Sequence, residues 1–285
     1  FFDSGGNSAL AIRLVSLLEE QLGLDVSLIQ IFRHSTVQRL CESLAGCSVD
    51  DDNVWLFAEM QQQMPHLFLL PPILGSALCF QPLAMALAGK VNPIGLNYPG
   101  AYRAGEPLDN RLETLAERCL NRVKAVQEHG PYLLLGYSMG ATVAFEMARQ
   151  LEREGERSTL ILVDGALGTE LEAIESAYAS AGTPADGLDT GYTPLDKAET
   201  RALIAHHRGL LINYQYTMIK AATYCLEAAD NVISTRMASW SRFTRGSFQQ
   251  QMVPGTHADQ MRPQKCQATA QRILGIIEGA HLEEV

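Results

Sequence analysis

The chain has 285 residues, 47% of them apolar, and a formal net charge of −10. That length suits one large domain, or a small domain followed by a medium one, with a sizeable core. The acidic balance repels phosphate-rich surfaces, which argues against nucleic acid or an anionic membrane as partner.

The six cysteines form no CxxC pair, and no Cys/His cluster has zinc spacing, so no metal is expected. Scattered thiols fit a reducing, cytoplasmic setting. No signal-like leader and no run of about 18 apolar residues is present. The chain starts on Phe1-Phe2, which reads as a cut from something longer.

Residues 1–45 read as helical. Ser8 opens an amphipathic stretch that carries Leu10, Ile12, Leu14, Leu17 and Leu18 on one broad side and stops at Gly23. A short apolar piece runs from Leu28 to Phe32. Ser35 or Thr36 can then cap a helix whose Val37, Leu40, Cys41 and Leu44 follow helical spacing. Three short helices make a small core. Residues 47–65, with Asp50-Asp51-Asp52 and later glutamines, read as a linker.

From residue 67 the rhythm changes. Apolar strands at "LFLLPP", "VNPIGLNYPG", "YLLLGYS" and "STLILVDGA" alternate with helices near 80–88, 111–128 and 141–154. That alternation predicts a mostly parallel sheet covered on both faces. It stops near 170–225, where a Gly/Pro/Asp-rich stretch and a helical segment read as an insertion over the sheet edge. Strand signals return at "NVIST" (231–235) and "SFQQQMV" (247–253), and a final helix is expected at about 266–278.

"GYSMG" at 136–140 lies between a buried strand and a helical stripe. In that context a G-x-S-x-G match is a nucleophile elbow. The turn forces Ser138 out over a helix N-terminus, where the Met139 N–H can meet developing negative charge. A serine needs a base. Of the seven histidines, His257 in "MVPGTHADQM" sits after the last strand signal and before the C-terminal helix. His206 and His207 fall in the insertion and read as solvated or packed. The base needs an orienting carboxylate. Asp164 ends the strand "LILVD" at the edge where Ser138 emerges. Its rival, Asp230, precedes "NVIST" and is expected at the opposite edge. A second oxyanion donor is expected from "LLPPILGSAL". Pro71 and Pro72 have no N–H, so Ile73 or Leu74 must donate, and Ile73 is chosen.

Ser8 follows Gly5-Gly6-Asn7 and opens a helix. On local chemistry alone it is a helix cap or an exposed modification site. "FFDSGGNSALAIRLVSLLEEQLGLDV" and "LIQIFRHSTVQRLCESL" resemble the peptidyl carrier domains of nonribosomal peptide synthetases, without that family's first helix and with Asn7 where histidine or aspartate is more frequent. The resemblance puts Ser8 at the position that carries 4'-phosphopantetheine. "GPYLLLGYSMGATVAFEMARQLEREGE", "LILVDGA" and "VPGTHADQM" resemble the terminal thioesterase domains of such synthetases, with nucleophile, acid and base in the family's order.

The resemblance implies a carrier over 1–46, a linker over 47–65, and an α/β-hydrolase thioesterase over 66–285 with a lid at about 168–225. It implies catalytic Ser138, Asp164 and His257, an oxyanion hole from Met139 and Ile73, and a cofactor on Ser8. Its partners would be upstream condensation and adenylation domains, a phosphopantetheinyl transferase and a peptidyl thioester. The expected reaction is chain release by hydrolysis or macrocyclisation. Leu210, Leu211, Tyr214, Tyr216, Met218 and Tyr224 would give the lid an acyl-compatible lining. Two rival readings are a freestanding editing thioesterase or esterase with an unrelated helical N-terminus, and a non-enzymatic hydrolase-like scaffold.

Overall fold

A computed structural model describes residues 1, 5–6, 8–24, 26, 28–44, 53–101, 107–180, 197–231, 237–263 and 265–282. The chain divides into two units, Phe1–Trp55 and Leu56–Val285.

The first unit holds helices α1 (Ser8–Leu22), α2 (Leu28–Arg33) and α3 (Val37–Leu44). Gly23 ends α1 at φ +62. The Leu24 N–H reaches back to the Leu18 carbonyl at 3.2 Å, which satisfies a carbonyl the helix leaves open. Thr36, rather than Ser35, caps α3, its Oγ1 accepting the Arg39 N–H at 3.3 Å. Ala11, Val26 and Ile31 form the core, with Phe1, Leu14, Val15, Leu18 and Leu40 packed around it. The sequence stripes are broader than this core. Leu10, Ile12 and Leu17 are exposed, and Val37 is 82% exposed. Three short helices enclose too little volume to cover every apolar side chain.

The short strand β1 (Val54–Leu56) falls inside the expected linker. Trp55 is buried there, its ring 6.0 Å from that of Phe32. The remainder of that expectation at 47–52 lies outside the described residues.

The second unit is built on strands β2 (His66–Leu70), β3 (Asn92–Leu96), β4 (Tyr132–Tyr137), β5 (Ser158–Val163), β6 (Ala222–Ala228) and β7 (Phe248–Val253). Their order is β3-β2-β4-β5-β6-β7, and every one of these pairings is parallel. Helices α4 (Gln81–Leu87), α5 (Leu112–Val126), α6 (Met139–Arg153), α7 (Leu171–Ser180), α8 (Lys197–Asn213) and α9 (Cys266–Leu282) connect and cover them. β3 and β4 are buried along their whole length, which explains their unbroken apolar sequences. The α/β-hydrolase expectation holds.

The chain lays down β2, adds β3 on one side, then crosses back to add β4 on the other. Connections from β2 and β4 therefore diverge at their carboxyl ends and leave a crevice there, where open α/β sheets bind ligands.

The insertion differs from its expected extent of 168–225. Residues Ala222–Ala228 are strand β6, inserted between β5 and β7. "ATYCLEA" is rich in helix formers, and only pairing on both sides makes it a strand. Tyr224 consequently belongs to the sheet and not to a lid. The "NVIST" strand expectation lies outside the described residues except for Asn231.

Candidate active site

Ser138 joins β4 to α6 at φ 56, ψ −119, a conformation an L-residue adopts at a cost of about 1–3 kcal/mol. The strain is enforced by close packing. A Cβ on Gly136 would lie 2.1 Å from the Gly140 carbonyl oxygen. A Cβ on Gly140 would lie 2.0 Å from the Leu70 carbonyl oxygen. Glycine at both positions lets β4, the first turn of α6 and the end of β2 touch. The half-exposed Ser138 donates its backbone N–H to the Val163 carbonyl at 3.0 Å, which continues the ladder to β5. Met139 is the first residue of α6, so its N–H has no intrahelical acceptor.

Asp164 follows β5 at φ 46 and is 2% exposed. Three donors converge on its carboxylate. His257 Nδ1 is 2.5 Å from Oδ2. Asn231 Nδ2 lies 2.8 and 2.9 Å from the two oxygens, and the Ala228 N–H reaches Oδ1 at 3.1 Å. Burial pushes the Asp164 pKa up. The bond and charge of His257, with the bonds from Asn231 and Ala228, outweigh burial and hold it below the ordinary value. The carboxylate stays ionised and fixes the proton of His257 on Nδ1, leaving Nε2 as the basic nitrogen.

His257 opens a short 3₁₀ turn after β7, with its side chain 27% exposed. Tyr137 holds it from below. The two rings stack with centroids 4.9 Å apart at 25°, and the Tyr137 hydroxyl donates to the His257 carbonyl at 2.7 Å. Tyr137 immediately precedes Ser138, so this stack brings the imidazole to the elbow. Asn231 Oδ1 accepts the His257 N–H at 2.8 Å, so one amide side chain ties acid and base together. Among the described residues no hydrogen bond joins Ser138 to His257. Such bonds are often long before substrate binds.

Asp230 sits at the carboxyl end of β6, the same end as Asp164, and not at the opposite edge. Its carboxylate accepts the Gly255 N–H at 3.0 Å and shapes the loop that carries His257. Its expected placement failed because β6 precedes it in the chain instead of following it.

The loop after β2 lies beside Gly140 at the start of α6. Ile73, the expected oxyanion donor, has its carbonyl 2.5 Å from Nδ1 of His207, which is buried on α8. His206 reaches the Asp109 carbonyl at 2.8 Å. Tyr214 and Tyr216 spend their hydroxyls on α6, at Glu146 (2.6 Å) and Thr142 (3.1 Å). Ser8 is the first residue of α1 in the other unit.

The thioesterase domain family model matches residues 65–277, and the phosphopantetheine attachment site model matches residues 1–44. The chain belongs to the thioesterase domain family. It is a carrier unit followed by a thioesterase unit. The dimodular nonribosomal peptide synthase of Bacillus subtilis strain 168 is 31% identical over 236 residues, covering 77% of this chain and 10% of that protein. Malpinin synthetase of Mortierella alpina is 36% identical over 164 residues, 56% of this chain and 2% of that protein. The chain thus spans a small fraction of the curated relatives it matches.

Among solved structures, a four-domain nonribosomal peptide synthetase superposes with TM-score 0.66 at 21% identity, covering 96% of this chain and 24% of that one. The thioesterase domain of NocB superposes with TM-score 0.62 at 23% identity, covering 78% of this chain and 97% of that domain. At these identities the likeness establishes the fold.

Two residues of the candidate site carry no sequence link to it. Tyr137 was visible as the residue before the elbow serine, but nothing in the sequence links it to His257. Asn231 carries no sequence signal at all, because its role depends on β6 ending beside β5.

Proposed function

We propose that this chain is a releasing module of nonribosomal peptide synthesis, in which Ser138 takes an acyl chain from a carrier thioester and passes it to water or to an internal nucleophile. The observation that carries this reading is the Asp164–His257 contact of 2.5 Å, stacked on Tyr137 next to the strained serine elbow.

The carrier cofactor belongs on Ser8. The serine begins a 15-residue helix, whose N-terminal dipole favours a phosphodiester. Two residues before it, the Gly6 N–H donates to the Phe1 carbonyl at 3.0 Å. When bound, phosphopantetheine supplies a thiol that presents the acyl group as a thioester.

In the thioesterase unit the Ser138 hydroxyl attacks the thioester carbonyl carbon, and His257 Nε2 takes the hydroxyl proton. Asp164 holds the imidazole tautomer and stabilises the imidazolium. The Met139 N–H and an N–H of the Ile73–Leu74 loop receive the oxyanion, each worth about 3 kcal/mol. The C–S bond then breaks, and His257 returns its proton to the leaving thiolate. The product is an acyl ester on Ser138. In the second half-reaction His257 deprotonates water, which gives a linear acid, or an amine or hydroxyl of the acyl chain, which gives a ring. Upstream adenylation and condensation domains and a phosphopantetheinyl transferase are the implied partners.

The test loads the carrier from acyl-coenzyme A with a phosphopantetheinyl transferase and follows intact mass. The loaded chain should lose its acyl group in the wild type and keep it in Ser138→Ala. A ring differs from the linear acid by one water. Absence of any added mass on Ser8 would leave a freestanding esterase as the better reading.

A further inference from the structure

The loop Pro71–Gly75 after β2 has every described carbonyl tie supplied by two residues or by itself. The Tyr98 hydroxyl donates to the Pro71 carbonyl at 3.0 Å, and the Tyr98 N–H to the Gly75 carbonyl at 2.8 Å. The Gly75 N–H closes a β-turn on the Pro72 carbonyl at 2.8 Å. The remaining tie is His207 Nδ1 on the Ile73 carbonyl at 2.5 Å. A carbonyl can only accept, so Nδ1 carries the proton.

In a turn spanning Pro72 to Gly75, the central peptide is the one between Ile73 and Leu74. That plane rotates by about half a turn between type I and type II geometry, while the closing hydrogen bond persists. The turn bond alone therefore does not hold it; rotation would also drive Leu74 to positive φ, which a leucine resists, and the His207 bond adds to that preference. Because the peptide is planar and trans, fixing the carbonyl toward α8 directs the Leu74 N–H the opposite way. Rotated, the carbonyl oxygen would take the place of an N–H donor and repel an oxyanion.

His207 is suited to this task. It is 2% exposed, and its ring meets Tyr98 edge to face at 5.9 Å. Burial pushes its pKa down to about 4, against the bond to Ile73, so the ring is neutral at ordinary pH. Helix α8 is itself anchored, with Arg208 paired to Glu175 of α7 at 2.7–2.8 Å and His206 on the Asp109 carbonyl.

We infer that His207, with Tyr98 beside it, is a positioning residue that holds the Ile73–Leu74 peptide in the orientation that leaves the oxyanion hole open, so that helix α8 bears on the hole. The inference rests on the reading of Ser138 as nucleophile with its second oxyanion donor in this loop. Displacing α8 would remove the His207 bond from the central peptide and favour a closed hole.

An alkyl fluorophosphonate places its phosphoryl oxygen where the oxyanion forms, so its reaction with the full chain reads the hole directly. Labelling of Ser138 is followed by mass as a function of probe concentration, which separates the maximal rate from the half-saturating concentration. His207→Phe keeps the ring and drops the donor, and should lower the maximal rate about 10-fold or more with half-saturation within about twofold. His207→Asn places an N–H donor where Nδ1 was, and should recover most of that loss. Thermal melts accompany each variant. If His207→Phe does not melt cooperatively, Tyr98→Phe, which removes only the bond to Pro71, should lower the maximal rate about threefold. An unchanged maximal rate in the folded variant, or an Asn variant as slow as Phe at equal melting temperature, overturns the positioning role alone. Absence of Ser138 labelling in the wild type overturns the nucleophile assignment and the inference with it.

Discussion

Asp164→Asn replaces a carboxylate that accepts from three sides with an amide that has one acceptor and one donor. Two orientations are open to it. With its NH₂ toward Ala228, donor faces donor and that buried N–H loses its partner, at a cost of about 1–3 kcal/mol, while Asn231 Nδ2 still reaches the oxygen on the other side. With its NH₂ toward His257, the oxygen keeps Ala228 and Asn231, and only the imidazole must adapt. The second orientation wins by about that cost, and about 1.4 kcal/mol already makes a tenfold population difference. It forces His257 Nδ1 to accept, so the proton moves to Nε2 and the ring cannot take the Ser138 proton. We expect kcat/KM for an acyl N-acetylcysteamine thioester, read by thiol release, to fall about 10⁴-fold, or about 5.4 kcal/mol of transition-state stabilisation. Fluorophosphonate labelling of Ser138 should slow in parallel. Asp230→Asn serves as the control, since its carboxylate meets the Gly255 N–H and not the imidazole. It should stay within about threefold, because an amide oxygen can accept that one bond equally well. A kcat/KM of Asp164→Asn within tenfold of wild type in a folded protein, or a ¹⁵N spectrum with the His257 proton still on Nδ1, would refute the tautomer reasoning.

The same carboxylate gives a stability signature. Its native pKa is depressed, so its contribution to folding is present above the unfolded value of about 3.9 and is lost as pH falls through the native value. Urea midpoints of wild type and Asp164→Asn should therefore converge below about pH 4, and a constant gap would count against it. Gly136→Ala drives a methyl to 2.1 Å from the Gly140 carbonyl oxygen and should cost about 3 kcal/mol or more, seen as a lower urea midpoint. Tyr137→Phe removes the 2.7 Å bond to the His257 carbonyl but keeps the ring stack. It should cost about 1 kcal/mol in stability and less than tenfold in kcat, whereas Tyr137→Ala should lose far more activity. Ser8→Ala should gain no mass from a phosphopantetheinyl transferase while Ser138 still labels with fluorophosphonate.

What was legible early was what local pattern carries. The elbow reads from its glycines because the strand, turn and helix that demand them are contiguous in sequence. The unbroken apolar runs of β4 and β5 read as buried strands because both their faces are covered. β6 did not read, because Ala, Leu and Glu favour helix, and only its neighbours β5 and β7 overrule them. That one misreading moved the strand past Asp230 and put this residue at the wrong edge.

By itself, the sequence determined the serine turn, the candidate base and acid, a helix opening at Ser8, and the parallel α/β rhythm. Each depends on spacing within a few residues, which propensity and steric fit decide. The tertiary structure alone decided which atoms meet. Asn231 bridges Asp164 and His257 across 67 and 26 positions, and His207 reaches Ile73 across 134. Such contacts arise from strand order and crossovers. No side chain announces them in advance, because any buried amide or imidazole must find some partner, and only the packed sheet specifies which one.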